Sequence, residues 1–107
     1  MSKQSEAVHE KVCKEIHKLY VDKNRDYGDS FHQTFVEEGM AMPRIRLGDK
    51  FGRFKTLTLS NVQHVKDESI RDTLMDLANY ALMTVVELDM LAEQEKGEHD
   101  EGVSEPN

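Results

Sequence analysis

The chain of 107 residues has one cysteine, no strand-like run and no long apolar run. The single Cys13 excludes an internal disulfide and fits a reducing compartment. Because no stretch has the length and purity of a signal peptide or a membrane span, we expect a cytoplasmic protein with no membrane partner. The lack of alternating apolar residues leaves helices as the regular structure, so an all-α fold is predicted.

The body of the chain carries little net charge. The total is −7, and residues 93–107 hold six acidic side chains against Lys96 alone, which leaves about −2 for the rest. A nearly neutral body argues against binding long nucleic acid. We therefore predict a single helical domain over residues 1–92, followed by an acidic, disordered tail over 93–107.

Four helices are predicted from the apolar spacing and from the glycines and prolines. They cover about residues 5–24, 31–38, 43–59 and 67–91. Gly39 ends the second helix, and Pro43 suits the first turn of the third. Asp29 or Ser30 opens the second helix, with Gln33 completing a capping box after Ser30. The predicted architecture is a small bundle of about four helices with one long C-terminal helix.

The long helix is apolar on more than one side. At about 100° per residue, one continuous stripe is formed by Ile70, Leu74, Leu77, Ala81, Val85, Leu88 and Leu91. Methionines and further aliphatic residues extend the opposite side toward the C-terminus. Three short helices give too little cover for both sides, so we expect a homo-oligomer with this helix at its interface.

Acidic residues interrupt this apolar surface. Glu68, Asp72 and Asp76 follow one another at intervals of four, and Asn79 lies within roughly 80° of them. Buried carboxylates are costly unless they are paired or metal-bound. Oxygen ligands favour Mg²⁺ or Mn²⁺, so the predicted metal ligands are Asp49, Glu68, Asp72 and Asp76.

Basic residues lie before Gly28 and along the third helix, where they suit phosphate oxygens. With Tyr27 and Asn79, they make up the predicted substrate-binding set of Lys23, Arg25, Tyr27, Arg46, Lys50, Arg53 and Asn79. An alternative interpretation needs no metal or phosphate site. In it, Asp72 and Asp76 are solvated or are paired with Arg46 and Arg53, and the turn at Gly28 is only a helix break.

Three blocks of the chain resemble a known family. They are Lys-Asn-Arg-Asp-Tyr-Gly-Asp-Ser-Phe at 23–31, Arg-Ile-Arg-Leu-Gly-Asp-Lys-Phe-Gly-Arg at 44–53 and Glu-Ser-Ile-Arg-Asp-Thr-Leu-Met-Asp-Leu-Ala-Asn-Tyr-Ala at 68–81. Together they resemble the first of the phage nucleotide-modification-associated domain families, over about residues 10–90. The resemblance implies a nucleotide ligand and, for a phage-encoded protein, the host cytoplasm.

The third block is also similar to the metal helix of the MazG-like, all-α nucleoside triphosphate pyrophosphohydrolases. Glu68, Asp72 and Asn79 match that pattern, whereas Ser69 stands in place of a second glutamate. The preceding helix lacks the family's Glu-x-x-Glu, and offers only Asp49. This resemblance implies Glu68, Asp72 and Asp76 as catalytic carboxylates, with Asp76 replacing a lost ligand.

Three functions follow from these observations. The first is a Mg²⁺-dependent enzyme that cleaves a nucleoside triphosphate, preferably a deoxynucleotide, to the monophosphate and pyrophosphate. The second is a protein that binds a nucleotide or cyclic nucleotide signal without turnover. The third is an interaction module in which the acids and arginines form only intersubunit ion pairs.

Overall fold

The fold is a set of four α-helices, seen here in a computed structural model that describes residues 2–27, 29–59 and 67–103. Side chains are described for residues 2–25, 29–59 and 70–97. The helices are α1 (Lys3–Tyr27), α2 (Ser30–Glu38), α3 (Ala41–Leu59) and α4 (Asp67–Val103). No strand occurs in these ranges, which confirms the all-α prediction with a long C-terminal helix.

The α2 boundaries are set by local chemistry. Gly39 has a φ of 65°, which favours glycine, and its N–H donates to the Phe35 carbonyl oxygen at 2.7 Å. This confirms Gly39 as the end of α2. Asp29 is the N-cap of α2, so the first of the two predicted openings is confirmed. Its side chain makes no capping hydrogen bond. The alternative opening at Ser30, with its Ser30–Gln33 capping box, is not the one that forms. Gly28 and the predicted connector over 60–66 lie outside the described residues.

The long helix extends further than its predicted end at residue 91. It runs 37 residues to Val103. Ala92, Gln94 and Lys96 are good helix formers, and α4 continues through Gly97 and Gly102, with the first proline after its start at Pro106. Every described side chain from Leu88 to Gly97 is exposed. The predicted domain boundary at residue 92 stays a prediction.

The helices enclose a small core. The most extensive contact is between α3 and α4, while α2 packs on α3, and α1 packs on α4. The buried apolar side chains are Ile16, Phe35, Met42, Pro43 and Met75. Phe31 is half-buried, whereas Val8 and Phe51 are each 52% exposed. No described helix is long and apolar enough to cross a membrane.

The buried side of α4 is mainly polar. Its buried residues other than Met75 are Thr73, Asn79, Thr84 and Glu87. The Thr84 hydroxyl donates to the Tyr80 carbonyl oxygen at 2.8 Å, so this group is satisfied within the helix. Asn79 and Glu87 face the other helices, Asn79 in a cavity and Glu87 against His32 of α2. The inner side of α4, which carries these residues, is therefore the side suited to a polar ligand.

Candidate functional site

A cavity of about 320 Å³ lies where the C-terminal part of α1, the beginnings of α2 and α3, and the middle of α4 meet. Its lining mixes aromatic, apolar, amide and charged side chains: Tyr20, Lys23, Asn24, Ser30, Phe31, Thr34, Met42, Arg46, Asp76, Asn79, Tyr80 and Met83. The volume falls within the roughly 300–1,000 Å³ range of small-molecule sites. The cavity is therefore large enough to hold a ligand, and each of the four helices contributes to its wall.

The charged wall of the cavity is organised around Asp76. The Lys50 ammonium donates to Asp76 Oδ2 at 3.0 Å, and the Lys23 Nζ lies 3.8 Å from Asp76 Oδ1. The Asp76 side chain is 27% exposed, that of Lys50 is 30% exposed and that of Lys23 is 52% exposed. Two ammonium groups around one carboxylate leave one positive charge in excess, and Arg46 on the same cavity adds another. The site thus favours an anionic ligand.

An aromatic pair forms another part of the wall. The Phe31 and Tyr80 rings are stacked, with centroids 6.1 Å apart and an interplanar angle of 22°. The Arg46 guanidinium carbon lies 6.0 Å from the Tyr80 ring centroid. A cation held over a ring face is attracted by the ring's quadrupole, so Tyr80 helps to orient Arg46 beside the cavity. The wall thus offers flat apolar surface next to a positive charge.

Asn79 brings a buried amide to the cavity. It is 6% exposed and lies on the inner side of α4, between Asp76 and Met83. A carboxamide offers both a donor and an acceptor, which allows it to read the edge of a base or a sugar hydroxyl. This is the most deeply buried polar side chain of the predicted substrate-binding set for which a position is described.

The structure gathers some of the predicted residues and leaves others apart. Lys23, Arg46, Asp76 and Asn79 line the cavity, and Lys50 joins them through Asp76. The partners of Asp76 are lysines, whereas the sequence suggested arginines. The side chains of Tyr27 and Glu68 lie outside those described, so their predicted roles stay predictions.

Three other predicted residues do not line the cavity. Asp49, Arg53 and Arg25 are exposed, and Arg25 lies 3.5 Å from Asp22 within α1. Arg53 follows Arg46 by seven residues, which places it about 10 Å further along α3. Lying on the same side of α3 as Arg46 therefore does not place a residue in the cavity, because the cavity is at the N-terminal end of that helix.

Asp72 lies beside the cavity rather than in it. It is exposed and lines a second, open cleft between α1 and α4, together with Asp76, Met75 and Glu15. In that cleft Arg71 donates to Glu15 through two hydrogen bonds of 2.8 and 3.0 Å. This pairing lowers the pKa of Glu15 and raises that of Arg71, because each charge stabilises the other. Asp72 and Asp76 thus share one cleft.

Within the part of the chain whose side chains are described, no three histidine, cysteine, aspartate or glutamate residues lie together as a metal site. Asp76, the carboxylate nearest the cavity centre, is already neutralised by two lysines. The described residues alone therefore do not form a resident metal centre.

One partly buried pair near the cavity was not predicted. His32 on α2 and Glu87 on α4 are joined by a hydrogen bond of 2.7 Å between Nδ1 and Oε1. The Glu87 side chain is only 9% exposed, and its carboxylate raises the pKa of His32 by accepting this bond and by its charge. A signal existed in the sequence, since Glu87 lies on the same helical side as Asp76 and Tyr80. The pair fastens α2, which carries Phe31, to α4.

Comparison with known proteins identifies a family. The model for nucleotide modification associated domain 1 matches residues 23–88, which is more than half of the chain. No curated protein and no solved structure gives a significant match. The likeness to MazG-like enzymes therefore stays a prediction. The matched segment contains every cavity-lining residue except Tyr20. The chain belongs to the nucleotide modification associated domain 1 family, as its three sequence blocks indicate.

Proposed function

We propose that this protein binds a nucleotide in the cavity on the inner side of α4 and acts in nucleotide modification. One observation carries the proposal: the same cavity is lined by the stacked Phe31–Tyr80 pair and by the cations Lys23 and Arg46. A nucleotide has a flat base and an anionic phosphate group, and it needs both kinds of wall within a single site.

The phosphates are assigned to the cations around Asp76. Lys50 and Lys23 now share that carboxylate at 3.0 and 3.8 Å, and both remain partly exposed. A phosphate has more charge and more acceptor oxygens than one carboxylate, so it competes with Asp76 for the two ammonium groups. Arg46 offers a planar fork that suits two phosphate oxygens. The cost of ordering these side chains is reduced because Asp76 and Tyr80 already hold them nearby.

The base and sugar are assigned to the more buried part of the cavity. Tyr80 and Phe31 supply flat surface on which a base can lie, and Met83 supplies adaptable apolar contact. Asn79 is buried in the same wall and is assigned to a polar edge of the base or to a sugar hydroxyl. Leaving such a buried amide without a partner is unfavourable, so this residue gives the site its selectivity.

Metal-dependent hydrolysis is a second candidate, favoured by the shared cleft of Asp72 and Asp76 next to the cavity. In this version Asp72 and Asp76, with Glu68 one turn earlier in the sequence, would hold a Mg²⁺ or Mn²⁺ ion that accompanies a nucleoside triphosphate. The ion supplies charge neutralisation at the phosphates. Water is consumed, and a nucleoside monophosphate and pyrophosphate are released. A phage has use for this reaction in adjusting its nucleotide pool for modified DNA.

The test incubates the protein with a panel of nucleoside mono-, di- and triphosphates, with and without Mg²⁺. Melting temperature reports binding, and chromatography of the heat-released ligand reports turnover. Binding without turnover is expected to return intact nucleotide. Conversion that requires Mg²⁺ supports the second candidate. If neither nucleotide nor Mg²⁺ moves the melting temperature or changes the nucleotide, the proposal fails and an interaction module remains.

Asp76→Asn separates the two versions. If the protein only binds, removing this negative charge frees both lysines, and nucleotide affinity is unchanged or higher. If the protein hydrolyses, the same change removes turnover while binding persists. Asp89→Asn is the matched control, because Asp89 is an exposed aspartate of the same helix on another side. It is expected to change neither affinity nor turnover.

A further inference from the structure

The outer side of α4 is apolar and exposed. We define the outer face as Leu74, Ala78, Ala81, Val85, Leu88 and Ala92. Five of these six residues are exposed, and Ala78 is half-exposed. Leu74, Val85 and Leu88 keep 41%, 51% and 43% of their surface in contact with solvent. No other described helix covers this side, although it continues for about five turns of α4.

The spacing of the outer face is that of a helix-pairing seam. Successive members are four, three, four, three and four residues apart, which is the alternation of a heptad repeat. The alanines at 78 and 81 lie near its middle, where small side chains let two helices approach closely. A continuous seam on one long helix suits another long helix of matching pattern, and this chain has such a helix in α4.

The surface of the single chain points to the same partner. It exposes 8463 Å², whereas a compact monomer of this mass exposes only about 6,100 Å². Its radius of gyration is 18.4 Å, against about 13 Å for a compact chain of this length. This excess includes the projecting end of α4, and it is larger than the roughly 800 Å² that each partner buries in an ordinary interface.

Charge selects an antiparallel arrangement. Arg71 and Asp89 lie on the same flank of the outer face, 18 residues and therefore about 27 Å apart. Antiparallel pairing about Ala81 places Arg71, which also pairs with Glu15 of its own chain, near Asp89 of the partner subunit. Parallel pairing instead sets Arg71 and Asp89 against the opposite flank of the partner's α4, which leaves both without an opposite charge. Parallel pairing also brings together two acidic C-terminal ends, each with Glu93 and Glu95. Antiparallel pairing keeps them apart.

We propose that a second copy of this chain packs antiparallel along the outer face, making the protein a homodimer. Leu74 of each subunit then lies opposite Leu88 of the other, and Ala81 lies opposite its own copy. This proposal does not depend on nucleotide binding, because the cavity lies on the inner side of α4.

Sedimentation equilibrium of the intact chain tests the dimer. The wild type is expected at twice the chain mass. Val85→Glu places a charge in the seam and is expected to sediment at the mass of one chain, with its helical circular dichroism retained. Val36→Glu is the control, because Val36 is 69% exposed on α2 and away from the seam. A single-chain mass for the wild type up to about 1 mM overturns the proposal.

Disulfide trapping tests the orientation and does not require the Val85 variant to fold. In a Cys13→Ser background, Leu74→Cys and Leu88→Cys chains are prepared separately and then mixed under mild oxidation. Antiparallel pairing is expected to join Leu74→Cys to Leu88→Cys, and to join neither with itself. Self-joined products from each variant alone indicate a parallel pair, and an absence of joined product rejects the seam as the contact.

Discussion

The inner and outer sides of α4 reverse the usual relation between polarity and burial. On the inner side Asn79, Thr84 and Glu87 are between 6% and 8% exposed, while on the outer side Val85 and Leu88 are 51% and 43% exposed. A helix of a small monomer normally buries its apolar stripe. The reversal supports both proposals, a polar ligand on the inner side and another apolar surface on the outer side.

The two sides also differ in what holds them. Inner-side contacts come from three other helices: Lys23 on α1, His32 on α2, and Arg46 and Lys50 on α3 all reach α4. On the outer side, all of the outer-face residues except the half-buried Ala78 stay exposed. A change on one side is therefore expected to leave the property of the other side intact, and this separation is what the following variants examine.

The largest effect is expected from exchanging residue types across α4. Asn79→Leu fills the buried polar position with an apolar group and removes the hydrogen bonds proposed with the nucleotide, so nucleotide affinity is expected to fall about 100-fold. Val85→Asn makes the opposite exchange on the outer face, at a residue that is 51% exposed, and is expected to leave affinity unchanged. Isothermal titration calorimetry measures both. Equal losses in the two variants show that the sides do not differ in function.

A smaller loss is expected from Arg46→Ala. Because Arg46 lines the cavity beside Tyr80, its removal costs one charged contact to phosphate, or about tenfold in affinity. The matched control is Arg53→Ala, which removes an exposed arginine of the same helix outside the cavity. The same titration measures both dissociation constants. If Arg53→Ala weakens binding as much as Arg46→Ala, general surface charge rather than the cavity attracts the nucleotide.

The smallest effect concerns pH. Glu87 raises the pKa of His32, so the pair's contribution to stability is fully present below the ordinary histidine pKa of about 6.5 and is lost as pH rises through the folded-state value. Asp29 is the other charge acting on His32, and it acts in the same direction. Melting temperature is therefore expected to decline across this window, as α2 is held less firmly to α4.

His32→Gln is expected to flatten that decline, because the titrating group is removed. His17→Gln is the control, since His17 is exposed on α1 and the structure gives it no carboxylate partner among the described side chains. If the melting temperature of His32→Gln declines with pH as much as that of the wild type, the pH dependence belongs to another group.

The helices themselves could be predicted from the sequence, because apolar spacing and Gly39 act locally. The extension of α4 past residue 91 was missed, since acidic composition was read as disorder although Ala92, Gln94 and Lys96 favour helix. The all-α fold and the family were predicted correctly because both predictions depend on patterns within single segments. Such patterns need no knowledge of how the segments meet.

The site could be predicted only in part, because its contacts join separate helices. The register of α4 indicated Asp76 and Asn79, yet nothing in the sequence distinguished Lys50 at 3.0 Å from Arg53, which lies outside the cavity. A residue's position along the helix axis decides whether it reaches Asp76, whereas periodicity predicts only the side of the helix on which it lies. The His32–Glu87 pair was missed for a similar reason, since 55 residues separate its members.

The most direct measurement is a nuclear magnetic resonance titration of the uniformly ¹⁵N-labelled protein with a non-hydrolysable nucleoside triphosphate. The side-chain amides of Asn79 and Asn24 line the cavity, whereas Gln94 is exposed near the end of α4 and serves as the internal control. The Asn79 and Asn24 amide signals are predicted to shift in a saturable way while the Gln94 signal stays in place. An Asn79 signal that does not move under conditions where the nucleotide binds elsewhere contradicts a nucleotide site on the inner side of α4.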